Sequence, residues 1–114
     1  MNTVTVGVTS REELNARFRR AMNGEPQGAF RGFETIEDLW ETLTPKRWAI
    51  LQTLTGAGPL ALWEIARRVG CKVEIVEADV QALVNAGFLE KLDDGRIEFP
   101  FDAVHVDFML RAVS

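Results

Sequence analysis

The chain has 114 residues, the length of one ordinary domain, and carries a net charge of −4. Apolar residues make up 46% of it, which allows a hydrophobic core and excludes an intrinsically disordered chain. The apolar runs are too short to span a membrane, and the first ten residues lack the features of a signal peptide, so we expect neither.

Few residues of the chain are suited to catalysis or to metal binding. One cysteine, Cys71, excludes an internal disulfide framework, and one histidine, His105, argues against a zinc site and against most His-dependent catalysis. The sequence contains neither a phosphate-binding glycine loop nor a nucleophile elbow. We therefore expect no catalytic residues, no metal and no cofactor.

The N-terminal segment is predicted to form a strand and then a helix. Valines alternate with polar or small residues over 3–8, which predicts the strand. Ser10 and Glu13 have the spacing of a capping box, so the helix is expected to begin after Ser10. An i, i+4, i+8 apolar stripe predicts one packed face on this helix, formed by Leu14, Phe18 and Met22.

Turn-forming residues over 23–28 mark the one internal boundary that the sequence indicates. We divide the chain there into a strand–helix extension, 1–32, for dimerisation or partner binding, and a domain, 33–114. The net charge also differs between the two parts of the sequence. The first 33 residues contain five arginines and three glutamates, whereas the rest contains eight basic and fourteen acidic side chains.

A short strand at Phe30 to Phe33 and two helices are predicted next. Thr35 is expected to cap the first helix, whose apolar face consists of Ile36, Leu39, Trp40 and Leu43. Thr44 caps the second helix, and Pro45 suits its first position because no amide is needed there. That helix should extend to about Thr55 and bury Trp48, Leu51 and Leu54.

A helix, a tight turn and another helix are predicted over 60–85, followed by a hairpin and a last strand. Gly70 ends the first helix of this pair, which spans Leu60 to Val69, and the second spans Val73 to Asn85. Their expected inward residues are Leu62, Ile65, Ala66 and Val69, then Val73, Val76, Val80, Leu83 and Val84. Asp94-Gly95 suits the turn of a hairpin between Phe88–Leu92 and Arg96–Phe99, and Ala103–Leu110 alternates as a last strand that should join this hairpin in a small sheet.

This order of elements is typical of an α+β winged helix-turn-helix. Several strings agree with it, namely Leu43-Thr44-Pro45-Lys46-Arg47, Ile65-Ala66-Arg67-Arg68, Asp79-Val80 with Leu83, Gly87-Phe88-Leu89 and Pro100-Phe101-Asp102. With these strings the chain resembles, over roughly 33–110, a prokaryotic family of winged-helix proteins, the MarR-like transcriptional regulators. The resemblance implies a cytoplasmic homodimer that binds double-stranded DNA sequence-specifically. It also implies, more loosely, the antitoxin half of a toxin–antitoxin pair.

The candidate DNA-binding residues lie on the helix pair, on the helix before it and on the hairpin. The predicted phosphate contacts are Lys46, Arg47, Arg67, Arg68, Lys72 and Arg96, and those expected to face the bases are Glu74, Ile75 and Ala78. Two alternatives stay open. Arg67 and Arg68 could be a solvated helix end that interacts with the helix dipole, and Arg96 could pair with Asp93 or Asp94.

Acidity over 71–86 favours a second hypothesis. This segment has one basic and three acidic side chains, which would repel phosphates. The chain could instead be a protein-interaction module that binds a partner, such as a toxin, with reduced or lost DNA binding. Its candidate partner-binding residues are Arg17, Arg19, Arg20 and Trp63. Trp63 could form an exposed apolar patch with Ile75, or lie beneath the N-terminal arm.

Overall fold

The computed structural model describes residues 2–24 and 29–107, which form five helices and five strands, a mixed α+β fold. In chain order the elements are β1 (Thr3–Val8), α1 (Arg11–Met22), β2 (Ala29–Phe33), α2 (Ile36–Thr42), α3 (Pro45–Leu54), α4 (Leu62–Val69), α5 (Val73–Asn85), β3 (Glu90–Lys91), β4 (Ile97–Glu98) and β5 (Ala103–Asp107). The predicted last strand therefore extends, at Phe108 to Leu110, outside the described residues. None of the described helices is long and apolar enough to cross a membrane.

Contacts group the chain into two compact units. Unit 1 comprises Met1–Leu39 and Ala103–Ser114, and unit 2 comprises Trp40–Asp102. The predicted division into 1–32 and 33–114 stays a prediction. What differs from it is the position of the last strand, which the contacts group with the N-terminal segment.

Unit 1 contains a three-stranded parallel sheet with the strand order β2-β1-β5. The central strand β1 has strand neighbours on both sides, and its Val4 and Val6 are fully buried. The expectation that the last strand joins the hairpin was wrong, because β5 pairs with β1, with Thr3 opposite Ala103. Alternation along a strand sets which side chains face the core, but it does not identify the strand's partner.

Gly7 of β1 is required by the close approach of β5. A Cβ atom at Gly7 would lie 2.8 Å from the carbonyl oxygen of Asp107, the residue opposite it in the register. The contacting atom belongs to the backbone of the paired strand, so it cannot move away by a change of rotamer. Any larger residue at this position would push the two strands apart.

Helix α1 begins as predicted, but its apolar stripe is not packed. The Glu13 amide donates to Ser10 Oγ at 3.1 Å, which confirms the cap, while the Glu13 carboxylate accepts from Thr9 Oγ1 at 2.9 Å. Thr9 is buried, and its amide donates to the Phe33 carbonyl, so this bond fixes how α1 is rotated. The stripe points away from that bond, and its residues Leu14, Phe18 and Met22 are 42%, 66% and 72% exposed.

The core of unit 2 is built from α3, α4 and α5, which all contact one another. Thr44 Oγ1 accepts from the Arg47 amide at 3.2 Å, and Pro45 is the first residue of α3, both as predicted. The buried side chains of these helices are Ile50, Leu51, Leu54, Ile65, Ala66, Val76, Val80 and Leu83. Trp48 is only half-buried, and Val73, expected to face inward, is exposed because it opens the first turn of α5.

In the sequence, the division between the two units falls within α2, between Leu39 and Trp40. Thr35 Oγ1 accepts from the Asp38 amide at 3.1 Å, which confirms the predicted cap. Leu39 and Leu43 are buried as expected, but Trp40 is exposed. Trp40 therefore does not belong to the packed face that the spacing predicted.

The turn between α4 and α5 is closed by backbone hydrogen bonds. Gly70 has a φ of 74°, and the amides of Gly70 and Cys71 both donate to the Ala66 carbonyl, at 2.9 and 3.1 Å. An L side chain is strained at this φ, so glycine suits the position. Helix α5 then spans Val73–Asn85, the range that the apolar spacing predicted.

The predicted hairpin is confirmed, and it is attached to the chain just before α4. Strands β3 and β4 are antiparallel, with Lys91 opposite Ile97. Leu60 and Ile97 exchange two backbone hydrogen bonds of 2.8 Å. Leu60 therefore lies beside β4, and α4 begins at Leu62, two residues later than the spacing predicted.

Candidate functional site

A solvent-facing helix surface in unit 2 lies on α5. Val76, Val80 and Leu83 face the core, whereas Glu77, Ala78 and Gln81 are exposed. Glu74, Ile75 and Ala78, the three expected to face DNA bases, are all exposed. The structure thus brings these predicted residues together on the outer side of the second helix of the pair.

An open groove beside this surface joins the start of α3 to the first turns of α5. It has a volume of about 810 Å³ and is lined by Thr44, Pro45, Lys46, Glu74, Ile75, Ala78 and Asp79. The groove places Lys46 among the three residues expected to face bases. Within the described part of the chain, no ion pair joins Lys46 or Lys72, so both ammonium groups are available to an external anion.

Arg67 and Arg68, at the end of α4, both bind Glu64 on the same helix. Arg67 Nε donates to Glu64 Oε2 at 2.9 Å, and Arg68 Nε donates to Oε1 at 3.0 Å. The hydrogen bonds from Arg67 and then Arg68 lower the pKa of Glu64 to about 2, so this carboxylate is ionised at neutral pH. Sequence reasoning missed Glu64, although it precedes the two arginines by three and four residues, the spacing of contacts along one helix face.

The strength of these two ion pairs depends on how exposed the three side chains are to solvent. The Glu64 side chain is 15% exposed, whereas the Arg67 and Arg68 side chains are 65% and 42% exposed. The guanidinium groups therefore reach solvent above a mostly covered carboxylate. Ion pairs whose cations are solvent-exposed contribute little to stability, so an external anion could replace Glu64 as the partner of these two arginines.

Arg47 makes internal contacts instead of facing solvent. Its Nε donates to Asp79 Oδ1 at 3.0 Å, and its Nη1 donates to the carbonyl oxygens of Glu41 and Thr42 at 3.2 and 3.1 Å. The Arg47 and Asp79 side chains are only 23% and 18% exposed. Arg47 thus joins α3 to α5 and to the end of α2, with Nε and Nη1 both occupied by these internal acceptors.

This ion pair also changes the charge of the α5 surface. Asp79 is neutralised by Arg47, so Glu74 and Glu77 are the exposed acids of α5. The sequence did contain a signal for this pairing. Asp79 lies three residues after Val76 and one before Val80, beside the core-facing stripe, where an acid needs a partner.

Arg96, after the hairpin turn, pairs with Asp94, which is one of the two alternatives that the sequence left open. Arg96 Nε lies 2.6 Å from Asp94 Oδ2, and the Arg96 amide donates to Oδ1 at 3.0 Å. The backbone hydrogen bond, and then the side-chain one, lower the pKa of Asp94. Both side chains are about half exposed, so Arg96 resembles the α4 arginines in being paired but accessible.

The candidate partner-binding residues are divided between the two units. Trp63, on α4, is 64% exposed, and Ile75 is also exposed. In unit 1, the Arg17 guanidinium lies 4.1 Å from the centre of the Phe30 ring, a cation–π contact. Arg19 and Arg20, in the last turn of α1, are exposed.

The remaining polar candidates do not form a second site. Cys71 is a half-buried thiol, and His105 is exposed on β5. Over residues 2–24 and 29–107, no three His, Cys, Asp or Glu side chains are grouped as a metal site would require.

The structure thus defines a class of protein: an α+β chain in which one unit combines three helices with a two-stranded hairpin and exposes the outer side of the third of these helices, α5. Residues 42–106 match the HVO_A0114 family model, and this range exceeds half of the chain. The protein belongs to the HVO_A0114 family. No curated protein matches the chain.

Proposed function

We propose that unit 2 is a winged helix-turn-helix, and that the protein is a MarR-like transcriptional regulator that binds double-stranded DNA as a homodimer. In this proposal α4 and α5 form the helix-turn-helix, α5 enters the major groove, and the β3–β4 hairpin is the wing. One observation supports it above the others. The turn at Gly70 joins α4 closely to α5, and the bridge from Leu60 to Ile97 attaches the hairpin just before α4.

The exposed surface of α5 offers groups that can distinguish base pairs. The Glu74 carboxylate can accept a hydrogen bond from a cytosine amino group, and Ile75 and Ala78 can contact thymine methyl groups. These side chains stand next to one another on a helix whose opposite side is buried. Rigid support of this kind favours specific over nonspecific contact.

The phosphate contacts in this proposal come from two kinds of cation. Among the described residues Lys46 and Lys72 have no carboxylate partner, whereas Arg67, Arg68 and Arg96 would each exchange a carboxylate partner for a phosphate. Arg47 is left out of these contacts because its mostly covered guanidinium already binds Asp79 and two carbonyl groups. Competition from Glu64 and Asp94 makes us expect modest affinity and a strong dependence on salt.

The test is a titration of the DNA upstream of the protein's own gene across a salt series. An interface with Z phosphate contacts gives a log–log slope near −0.9Z, according to counterion release. Replacing Arg67 and Arg68 by Ala should flatten this slope, and replacing Arg47 by Lys should leave it unchanged. Absence of salt-sensitive binding at low salt would exclude the proposal.

A second candidate function is a protein-interaction module, such as an antitoxin that binds its toxin. It is favoured by the exposed apolar side chains of Trp63 and Ile75 in a unit where Glu74 and Glu77 are also exposed. Such a surface suits a partner with apolar and basic groups. Co-expression with the product of the neighbouring gene tests it. A complex that is lost on Trp63→Ala and retained on Arg67→Ala would favour this function over DNA binding.

A further inference from the structure

Asp79 lies on α5 between the side of the helix that faces the core and the side that faces solvent. It follows Val76 by three residues and Ile75 by four, so it is a neighbour of both on the helix surface. Its side chain is 18% exposed, and it lines the same groove as Ile75 and Ala78. A bond made at this position therefore acts on the rotation of α5 about its own axis.

Arg47, the partner of Asp79, is itself held through both its backbone and its side chain. Its amide donates to Thr44 Oγ1 at 3.2 Å, which fixes the backbone in the first turn of α3. Its Nη1 donates to the carbonyl oxygens of Glu41 and Thr42, in the last turn of α2, at 3.2 and 3.1 Å. The contact from Nε to Asp79 Oδ1, at 3.0 Å, connects this fixed guanidinium to α5.

This contact supplies a directional restraint that the apolar side of α5 does not. Val76, Val80 and Leu83 are buried in the core, but hydrophobic burial has no preferred direction. A charge-assisted hydrogen bond, in contrast, has a preferred length and angle. Side chains that recognise a ligand must be held within roughly 0.5 Å and 10–20° of the productive geometry. A hydrogen bond at the edge of the exposed side of α5 can hold the helix to this precision.

We propose that Arg47 and Asp79 are positioning residues for DNA recognition, which set the rotation of α5 so that Glu74, Ile75 and Ala78 reach the base edges. The proposal rests on the proposed function, since α5 reads bases only if it enters the major groove. Neither Arg47 nor Asp79 contacts DNA. The pair controls discrimination between DNA sequences, whereas affinity for DNA of any sequence depends on the other cations of unit 2.

Two substitutions of Asp79 separate its positioning role from its charge. Asp79→Ala and Asp79→Asn remove the same negative charge, but the Asn amide oxygen can still accept from Arg47 Nε. Both should therefore change the affinity for a scrambled duplex by the same factor. The ratio of affinities for upstream and scrambled DNA should fall about tenfold in Asp79→Ala, the size of one base contact, and stay within about twofold in Asp79→Asn. Fluorescence anisotropy titrations of the full chain measure both affinities.

Substitution of Arg47 tests the other half of the pair. Arg47→Ala should lower the affinity ratio about tenfold and leave the affinity for scrambled DNA within about twofold of wild type, because Arg47 is not a phosphate contact. Arg47→Lys should recover part of the ratio, since its ammonium can bind Asp79 but cannot also reach both carbonyl groups. Partial unfolding lowers both affinities by one factor. An unchanged ratio in Arg47→Ala and Asp79→Ala therefore contradicts the positioning role even if these variants are destabilised.

The outcome can be separated from that of the proposed function. A wild-type chain that shows no salt-sensitive binding to either duplex excludes the proposed function, and the positioning role with it. A wild-type chain that binds both duplexes equally leaves DNA binding in place but overturns the positioning role. Discrimination that persists in both alanine variants supports the proposed function and also overturns the positioning role.

Discussion

Helices α1 and α4 have similar arrangements of cap and charged residues, but they differ in how far their apolar sides are buried. Both are short, begin after a non-helical cap residue and end with two basic side chains. Helix α4 buries Ile65 and Ala66, and its arginines share Glu64, whereas α1 buries none of its residues. Apolar spacing thus predicts that a segment forms a helix, but the position of the helix in the fold decides whether its apolar side is covered.

The largest expected difference between these helices is in stability. Ile65→Ala should lower the free energy of unfolding by about 3 kcal/mol, since it leaves a cavity in the core of unit 2. Leu14→Ala in α1 should cost less than about 0.5 kcal/mol, as expected of a surface substitution. Urea denaturation of both variants makes the comparison. Equal losses would show that the α1 stripe is covered within the monomer.

A smaller loss is expected when the ion pair between α3 and α5 is broken. Arg47→Ala should reduce the free energy of unfolding by about 2 kcal/mol, because Asp79 and two backbone carbonyl groups lose their donor in a mostly covered place. Arg19→Ala, the removal of an exposed arginine from α1, is the control and should change stability by less than about 0.5 kcal/mol. If the two variants lose the same amount, Arg47 does not hold these elements together.

The smallest expected effect is a loss of stability at low pH, when Glu64 becomes protonated. Its pKa is about 2 in the folded chain and near 4.5 without its partners, so the folded state favours the ionised form. This contribution to stability is complete above pH 4.5 and is lost as the pH falls toward 2. Glu64→Gln should therefore give a flatter stability profile between pH 4.5 and pH 2 than wild type. Profiles that coincide in this range would contradict the role given to Arg67 and Arg68.

Much of unit 2 could be predicted from the sequence because its signals are local. The spacing of Val76, Val80 and Leu83 indicated α5, and Gly70 and Asp94-Gly95 indicated the turns around it. These features depend on residues within a few positions of one another. The range of α5 and the existence of the hairpin were accordingly confirmed.

The errors concerned partners that are distant in sequence. Alternation identified β5 as a strand, but its pairing with β1 joins residues about a hundred positions apart. The stripe on α1 was expected to pack, but α1 contacts the rest of unit 1 through Glu13 and Arg17, and the stripe is exposed. Likewise, the partner of Arg47, Asp79, lies 32 residues away and could not be deduced from local spacing, so the sequence predicted Arg47 only as a DNA contact.

In the proposed function, Arg67 and Arg68 bind DNA phosphates when Glu64 releases them. The most direct test compares wild type with Glu64→Gln on upstream DNA over a salt series. We expect the variant to bind up to about tenfold more tightly at low salt, since phosphates no longer compete with the carboxylate. The same substitution should give no gain in a chain that already carries Arg67→Ala and Arg68→Ala. An equal gain in both chains, or none in either, would contradict the account.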